Sequence, residues 1–316
     1  VLKDAASNAL YGARGANGVI LITTKKGQSQ SGAKVTFDAK WGQNSRATKD
    51  YDVITDPRQY YNVYARALAN NRIYAGITDE MKIYDYVNNN LIGTSKDTSV
   101  GLQYNIWSLP EGETDLLMSD YTINPKATIG RTVVGADGQS YYISPDNWRD
   151  AAYGTSLRQE YNLSVSQATD KGQFYLSASY LNNDGIVDAS NFERFTGRLS
   201  ADIQAKPWLK VGANMSYTHF SREELGEDGQ SASSGNIFAV ANQVAPIYPL
   251  WVRDGEGNVM TDEYGFKMMD YGNGMNAGLQ RPIFSNANPI MDNLLNKDGS
   301  EGNAFNAMGF AEIRFL

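Results

Sequence analysis

Three stretches carry residue types and spacings that chemistry could use. The first is Leu10 to Gly27, LYGARGANGVILITTKKG, where glycines at 12, 15 and 18 run into the apolar block Val19-Ile20-Leu21-Ile22. Glycine loops cradle phosphates when they are spaced G-x-G-x-x-G after a strand and before a helix. Here the spacing is G-x-x-G-x-x-G and the glycines precede the strand, so spacing and order both argue against nucleotide binding. The same residues read as a helix C-cap at Gly12, a tight turn at Asn17-Gly18 and a buried strand from Val19 to Thr24. The second stretch is DGEGNVMTDE from Asp254. An EF-hand needs Gly at its sixth position and Glu at its twelfth, where this chain has Val259 and Gly265. A glycine-rich turn is the better reading, with a weak surface Ca²⁺ site left open beside it and no other cofactor expected. The third feature is a set of aromatics in loop-like segments. Tyr60, Tyr61, Trp107, Tyr141, Tyr142, Trp148 and Trp251 are the candidates for stacking on a substrate; each could equally belong to the core of a large ordered loop.

Much other chemistry is excluded. With no cysteine there is no disulfide, thiolate metal site or thiol catalysis. The one histidine, His219, follows Thr218 at an expected strand end and reads as a boundary residue. The acidic pairs Glu223-Glu224, Glu227-Asp228 and Asp262-Glu263 fall in expected loops as solvated charge. No G-x-S-x-G, H-E-x-x-H or P-loop occurs. No catalytic residue, no metal site and no enzyme activity are expected. The net charge of −7 argues against nucleic acid as a partner.

The elements that would position these residues are mostly strands. Leu2, Ala5, Ala6, Ala9 and Leu10 share a helical face at the start. Alternation then dominates. In 34–42, Val35, Phe37, Ala39 and Trp41 oppose Lys34, Thr36, Asp38 and Lys40. The segments 157–167, 174–181, 195–204 and 208–218 alternate in the same way, and 305–316 does so more weakly. Each is about ten residues long, the length of a tilted membrane strand rather than of a common soluble one. Trp41, Tyr161, Phe195, Trp208 and Tyr217 lie near strand ends, where interfacial girdles form. Connections alternate between short (ATDKGQ and AKP) and longer (NNDGIVDASN, with very long segments at 47–156 and 219–304). That is the habit of an outer-membrane barrel. Inside the insertions, Asp56-Pro57 and Asp79-Glu80 mark helix starts, and 226–236 is flexible by composition.

VLKDAASNALYGARGANGVILITTKKG resembles the end of the plug domain of SusC/RagA-type TonB-linked outer-membrane proteins. Asp4, Tyr11, Gly12, Arg14, Gly15, Asn17 and Gly18 are among the matching residues. NWRDAAYGTSLRQEYNLSVSQATDKGQFYLSASYLNNDGIVDASNFERFTGRLSADIQAKPWLKVGANMSYTH resembles the family's first barrel hairpins, and APIYPLW and NPIMDNLL agree with it. The resemblance implies an all-β fold, a partial transmembrane antiparallel β-barrel belonging to a 22-stranded barrel with an internal plug. Residues 1–27 would end the plug, 28–33 would link, and 34–316 would begin the barrel, with short helices in extracellular insertions at 47–156 and 219–304. It implies active import of nutrients across the bacterial outer membrane, mostly oligosaccharides and sometimes peptides. The implied partners are a SusD-like surface lipoprotein, the TonB–ExbB–ExbD complex and the lipid bilayer.

The chain begins at Val1 inside a helical pattern and stops at FAEIRFL in mid-strand, so a fragment of a longer protein is expected. Two rivals stand beside the importer. One is a TonB-dependent siderophore or cobalamin receptor. The other is a soluble β-rich carbohydrate-binding protein or glycosidase, whose outward strand faces should be polar where this chain has Leu, Val, Met and Phe.

Overall fold

The computed structural model describes residues 12, 20, 25–27, 32–49, 52–93, 101–225, 236–296 and 298–315. The helix expected at 2–11, the turn at Asn17-Gly18, nearly all of the strand at 19–24 and most of the 28–33 linker lie outside them. So do Asp4, Tyr11, Arg14, Gly15, Asn17 and Gly18, and the flexible reading of 226–235. Gly12 is described; its φ of 61° is the left-handed conformation that a C-cap glycine adopts.

In chain order the elements are β1 (Lys34–Asn44), α1 (Pro57–Tyr74), α2 (Glu80–Asn90), β2 (Trp107–Ser108), β3 (Thr128–Ile129), β4 (Arg131–Val134), β5 (Ser140–Ile143) and α3 (Trp148–Ala152). Then come β6 (Ser156–Thr169), β7 (Gly172–Asp184), β8 (Asn191–Lys206), β9 (Leu209–Glu224), α4 (Ile237–Gln243), α5 (Pro289–Leu295) and β10 (Asp298–Ile313). The fold is mostly β. Six strands form one antiparallel sheet in the order β1-β6-β7-β8-β9-β10, so every neighbour in the sheet is the next long strand in the chain. Such a meander needs only local returns. Two-residue turns join β6 to β7 and β8 to β9 at one end. All the long connections leave from the other end.

Register turns the alternation into a surface. Val35, Val165, Leu176, Leu199, Met215 and Ala307 form one row straight across the sheet. The next row toward the long-loop end is Phe37, Leu163, Ala178, Gly197, Tyr217 and Phe305, and above it lie Ala39, Tyr161, Tyr180, Phe195, His219 and Asn303. One row further on, the same face becomes Trp41, Gln159, Asn182, Glu193, Ser221 and Glu301. An apolar band therefore stops at a row rich in rings, and polar residues take over beyond it. In the upper rows Trp41 packs edge-on against Tyr161, whose ring stacks in turn beside Tyr180. The opposite face is polar, as in the row Thr36, Ser164, Ser177, Arg198, Ser216 and Asn306.

The strands outrun their sequence pattern. β9 extends to Glu224 and β10 begins at Asp298, so the insertions are 45–155 and 225–297 rather than 47–156 and 219–304. His219 and the pair Glu223-Glu224 lie in β9, not at a strand boundary or in a loop. The reason is physical. Above the ring row polar residues stand on both faces, alternation ends, and the backbone ladder continues with nothing in the side chains to mark it.

The buried core lies in the insertions. One cluster joins Tyr61, Ala65 and Ala69 of α1 and Ile83 and Val87 of α2 to Tyr104, Ile106, Trp107, Ile143, Ile247 and Val252. Tyr61, Ala65 and Ala69 recur every four residues and so share one helical face. The helix starts where expected: the Asp56 carboxylate accepts the N–H groups of Arg58 and Gln59, at 3.0 and 3.3 Å, and Pro57 follows it. A second cluster packs Trp148, Ile237, Val240, Leu250, Met269 and Ile290. The described parts of 45–155 and 225–297, separated in the chain by four strands of the large sheet, thus pack together as one lobe. Among the described residues no helix is long and apolar enough to cross a membrane, which says nothing of strands.

Candidate functional site

Hydrogen bonds between the two insertions set the shape of the lobe. The Tyr104 hydroxyl donates to Asp270 at 3.0 Å, and Asn276 donates to the same carboxylate at 2.9 Å. Tyr248 O–H donates to the Leu102 carbonyl at 3.2 Å, and the Trp148 indole N–H donates to the Tyr248 carbonyl at 3.1 Å. Asp146 takes a bidentate pair from Arg253, at 2.6 and 3.0 Å, and the Leu250 N–H at 2.8 Å. Asp270 and Arg281 are each 1 % exposed. Burial raises the pKa of Asp270, against the pull of its hydrogen bonds and of Arg281. The Arg281 guanidinium lies 5.0 Å from the Trp148 ring centre. Gly272, with a φ of 65°, makes room for it: a Cβ there would come within 2.1 Å of Arg281 Nε.

Next to this joint the lobe opens a cleft of about 780 Å³. Its walls come from 52–60, 145–150 and 241–246, so both insertions contribute. α1 presents Pro57 and Tyr60. Asn147 caps α3 through the N–H groups of Arg149 and Asp150, and its amide donates to Asp150 at 2.6 Å. Asp146 is committed to Arg253, which leaves Asp52, Tyr60 and Gln243 among the groups that can face a ligand. Burial, then Tyr64, raises the Tyr60 phenol above its usual pKa, so it stays a neutral donor and acceptor at neutral pH. Carboxylate, amide and phenol groups beside proline and tyrosine faces make a recognition surface. Among the described residues no three His, Cys, Asp or Glu side chains converge as a metal cluster.

The seven candidate stacking residues divide. Tyr61, Trp107, Tyr141 and Trp148 are buried, at 0, 3, 7 and 2 % exposure. The rings of Tyr61, Trp107 and Tyr141 are packed inside the lobe away from the cleft, which corrects the expectation for these three, whereas Trp148, though almost wholly buried, is among the residues that line the cleft. Tyr61 packs edge-on against Trp107 at 5.7 Å, Arg58 covers the other ring of that pair, and Tyr141 O–H donates to Asp137 at 2.6 Å. Tyr60, Tyr142 and Trp251 remain half-exposed, and Tyr60 is the one that lines the cleft. The calcium-like stretch is a turn: Asp254 Oδ1 accepts the N–H groups of Glu256 and Asn258 at 3.0 and 2.9 Å, and Arg253 bridges to Val259. Asp146, Arg253, Asp270 and Arg281 were not anticipated. Their partners lie up to 166 residues away, and no local pattern marks them.

No family model matches the chain. It is 26 % identical to the TonB-dependent receptor P3 of Formosa agariphila over 259 residues, which are 81 % of this chain and 19 % of that receptor. It is 23 % identical to the TonB-dependent receptor SusC of Bacteroides thetaiotaomicron, over 78 % of this chain and 18 % of that one. Among solved structures it resembles the RagAB peptide importer in its closed-closed state, with a TM-score of 0.59, 22 % identity and coverage of 97 % of this chain and 29 % of that one. The open-open state gives 0.57 and 21 % over the whole chain and 30 % of that one. The chain thus spans about a fifth of the length of the curated relatives it matches. The resemblance to SusC/RagA-type receptors drawn from the sequence is borne out, and those relatives are receptors and not enzymes.

Proposed function

We propose that these residues form part of the wall and the outer lobe of a TonB-dependent importer in a bacterial outer membrane, with oligosaccharides as the first choice of cargo. The apolar band supports this most directly. Val35, Phe37, Leu163, Leu176, Leu199, Met215 and Phe305 stand exposed in registered rows, at 38 to 66 %. Each such side chain is worth about 1.5–3 kcal/mol when withdrawn from water. A row-wise apolar surface of this extent marks a membrane or partner contact, and the ring row at its upper border suits a bilayer interface. A soluble sugar-binding protein would carry polar residues there. The motif match at 1–27 favours a SusC-like importer over a siderophore or cobalamin receptor.

In this reading the lobe stands outside the cell, above the channel, where a SusD-like lipoprotein could cover it. The cleft with Tyr60 is the proposed cargo contact, and Tyr142 and Trp251 are further stacking candidates. TonB, ExbB and ExbD would supply the energy through parts of the protein outside this stretch.

Single cysteines in the full-length protein test the arrangement. Those at 45–155 or 225–297 should react with a membrane-impermeant maleimide on intact cells, and those at Asp170 or Lys171 should not. The reverse pattern would invert the orientation. Uptake of labelled oligosaccharides and of labelled peptides, each with and without a functional TonB, then separates the two cargo classes.

A further inference from the structure

The polar face of the sheet carries one apolar island, toward the lobe. Just above the level of the ring row, this face shows the registered row Lys40, Glu160, Leu181, Arg194, Phe220 and Gly302. Arg194 therefore has Leu181 across from it on one side and Phe220 on the other. Phe192 precedes it by two residues on its own strand and so shares its face. Directly opposed side chains of this kind start about 4.5–5.5 Å apart at Cβ. The rings of Phe192 and Phe220 stack, with centres 6.4 Å apart and planes 27° apart. Gly302 lets the Phe220 ring lie down on the sheet, since a Cβ there would collide with it. Leu181, Phe192 and Phe220 are half-buried, and Arg194 is exposed. The other charges of the neighbourhood are paired. Glu160 holds Arg158 at 2.8 Å and Lys40 at 3.8 Å. Arg222 donates to Ser300 Oγ at 2.9 Å and pairs with Glu224. The Arg194 guanidinium has no hydrogen bond or ion pair among the described residues. It stands free inside an apolar frame on three sides, and such a frame strengthens any charged hydrogen bond made there by holding water back.

We propose that Leu181, Phe192, Arg194 and Phe220 form a contact for a sugar ring that bears an anionic group, a carboxylate or a sulfate ester. The stacked phenyl rings take the C–H face of the sugar. Its anionic substituent projects from the rim of the same ring, and Arg194 stands one strand away with a planar fork that fits two oxygens. The flat ring pair and the fixed spacing favour a rigid sugar ring over an acidic peptide, whose carboxylates hang on flexible stems. The proposal rests on the reading of the polar face as the inner wall of an importer, and it adds a second cargo contact to that wall, separate from the cleft with Tyr60.

Equilibrium binding to the purified full-length protein in detergent tests this without any import step. The probes are a hexamer of galacturonate, a sulfated hexamer of a neutral sugar, the same hexamer without sulfate, and tetraglutamate. At least one acidic hexamer should bind about tenfold more tightly than the neutral one. Arg194→Gln should cut that preference to about twofold or less, and Arg194→Lys should restore part of it. Phe192→Leu with Phe220→Leu keeps the apolar volume but removes the flat rings, and should weaken acidic and neutral hexamers alike by several-fold. A preference unchanged in Arg194→Gln, or no binding of any hexamer, would overturn the site. Tetraglutamate bound as tightly as the acidic hexamers, and lost in Arg194→Gln, would overturn the assignment to sugar. A separate measurement checks the wall itself. In a background free of other cysteines, a hydrophilic maleimide should label Arg194→Cys and spare Leu199→Cys, which lies in the apolar band. Reversed labelling would overturn the reading of the faces, whereas the expected labelling with unchanged preference would overturn this proposal alone.

Discussion

The six-stranded sheet and the lobe above it solve the same problem in opposite ways. Among the described residues of the six strands, only Ser200 is buried. The apolar side chains there share one face in rows and the polar ones share the other. In the lobe, Tyr104, Ile106, Ile247 and Val252 are sealed at 0 % exposure, and the charges Asp270 and Arg281 are sealed with them. The sheet is apolar on one face and polar on the other and depends on backbone ladders, which need no particular side chain. The lobe is built for water, and its shape depends on a few named side chains. One chain therefore holds a region that tolerates substitution by face and a region that tolerates it by partner.

The sharpest way to break the comparison is in the lobe joint. Asp270→Ala leaves the donors of Tyr104, Asn276 and Gly272 unmet, at about 1–3 kcal/mol each. Thermal unfolding of the full-length protein in detergent should show the lobe melting separately and earlier, with the sheet's transition unmoved. A single shifted transition would mean the two regions are one cooperative unit. Next in size, Leu163→Arg and Ser164→Arg place the same charge on opposite faces of β6. The first lies in the apolar band and should cost about 2–4 kcal/mol in a bilayer; the second should be near neutral. Chemical denaturation in liposomes reads both, and equal effects would abolish the assignment of faces.

Smaller effects sharpen the picture of the lobe. Asp56→Ala removes the cap of α1 and should cost about 1 kcal/mol, seen as faster amide exchange at residues 58–61 with none in the sheet. The last test is of pH. Burial puts the folded-state pKa of Asp270 above that of the unfolded chain. Its contribution is therefore favourable in acid and is lost as pH rises through that range. Surface carboxylates such as Asp79, Glu113 and Asp254 lie below their usual values, chiefly through hydrogen bonds, so theirs is present at neutral pH and lost as pH falls. Asp270→Asn should gain on the wild type as pH rises from about 4 to 7. The opposite trend would show that Arg281 keeps Asp270 ionised in the fold.

The sequence by itself determined the sheet. Period-two alternation over about ten residues depends only on which way successive side chains point, so Val35, Phe37 and Leu163 announce their face without their neighbours. Asp56-Pro57 and Asp79 announce α1 and α2 for the same local reason. Only the tertiary structure decided the rest. Strand ends at His219–Glu224 and Asp298–Ala304 carry no clean alternation because polar residues stand on both faces there. Tyr61, Trp107, Tyr141 and Trp148 look like a stacking surface in one dimension and prove to be core in three, because burial depends on what folds over a ring. The pairing of Asp270 with Tyr104, and of Asp146 with Arg253, joins segments more than a hundred residues apart. Side-chain direction is a local property of the backbone, whereas partnership is a property of the closed fold. The wall was therefore legible in the residues, and the cleft became visible only once the two insertions had met.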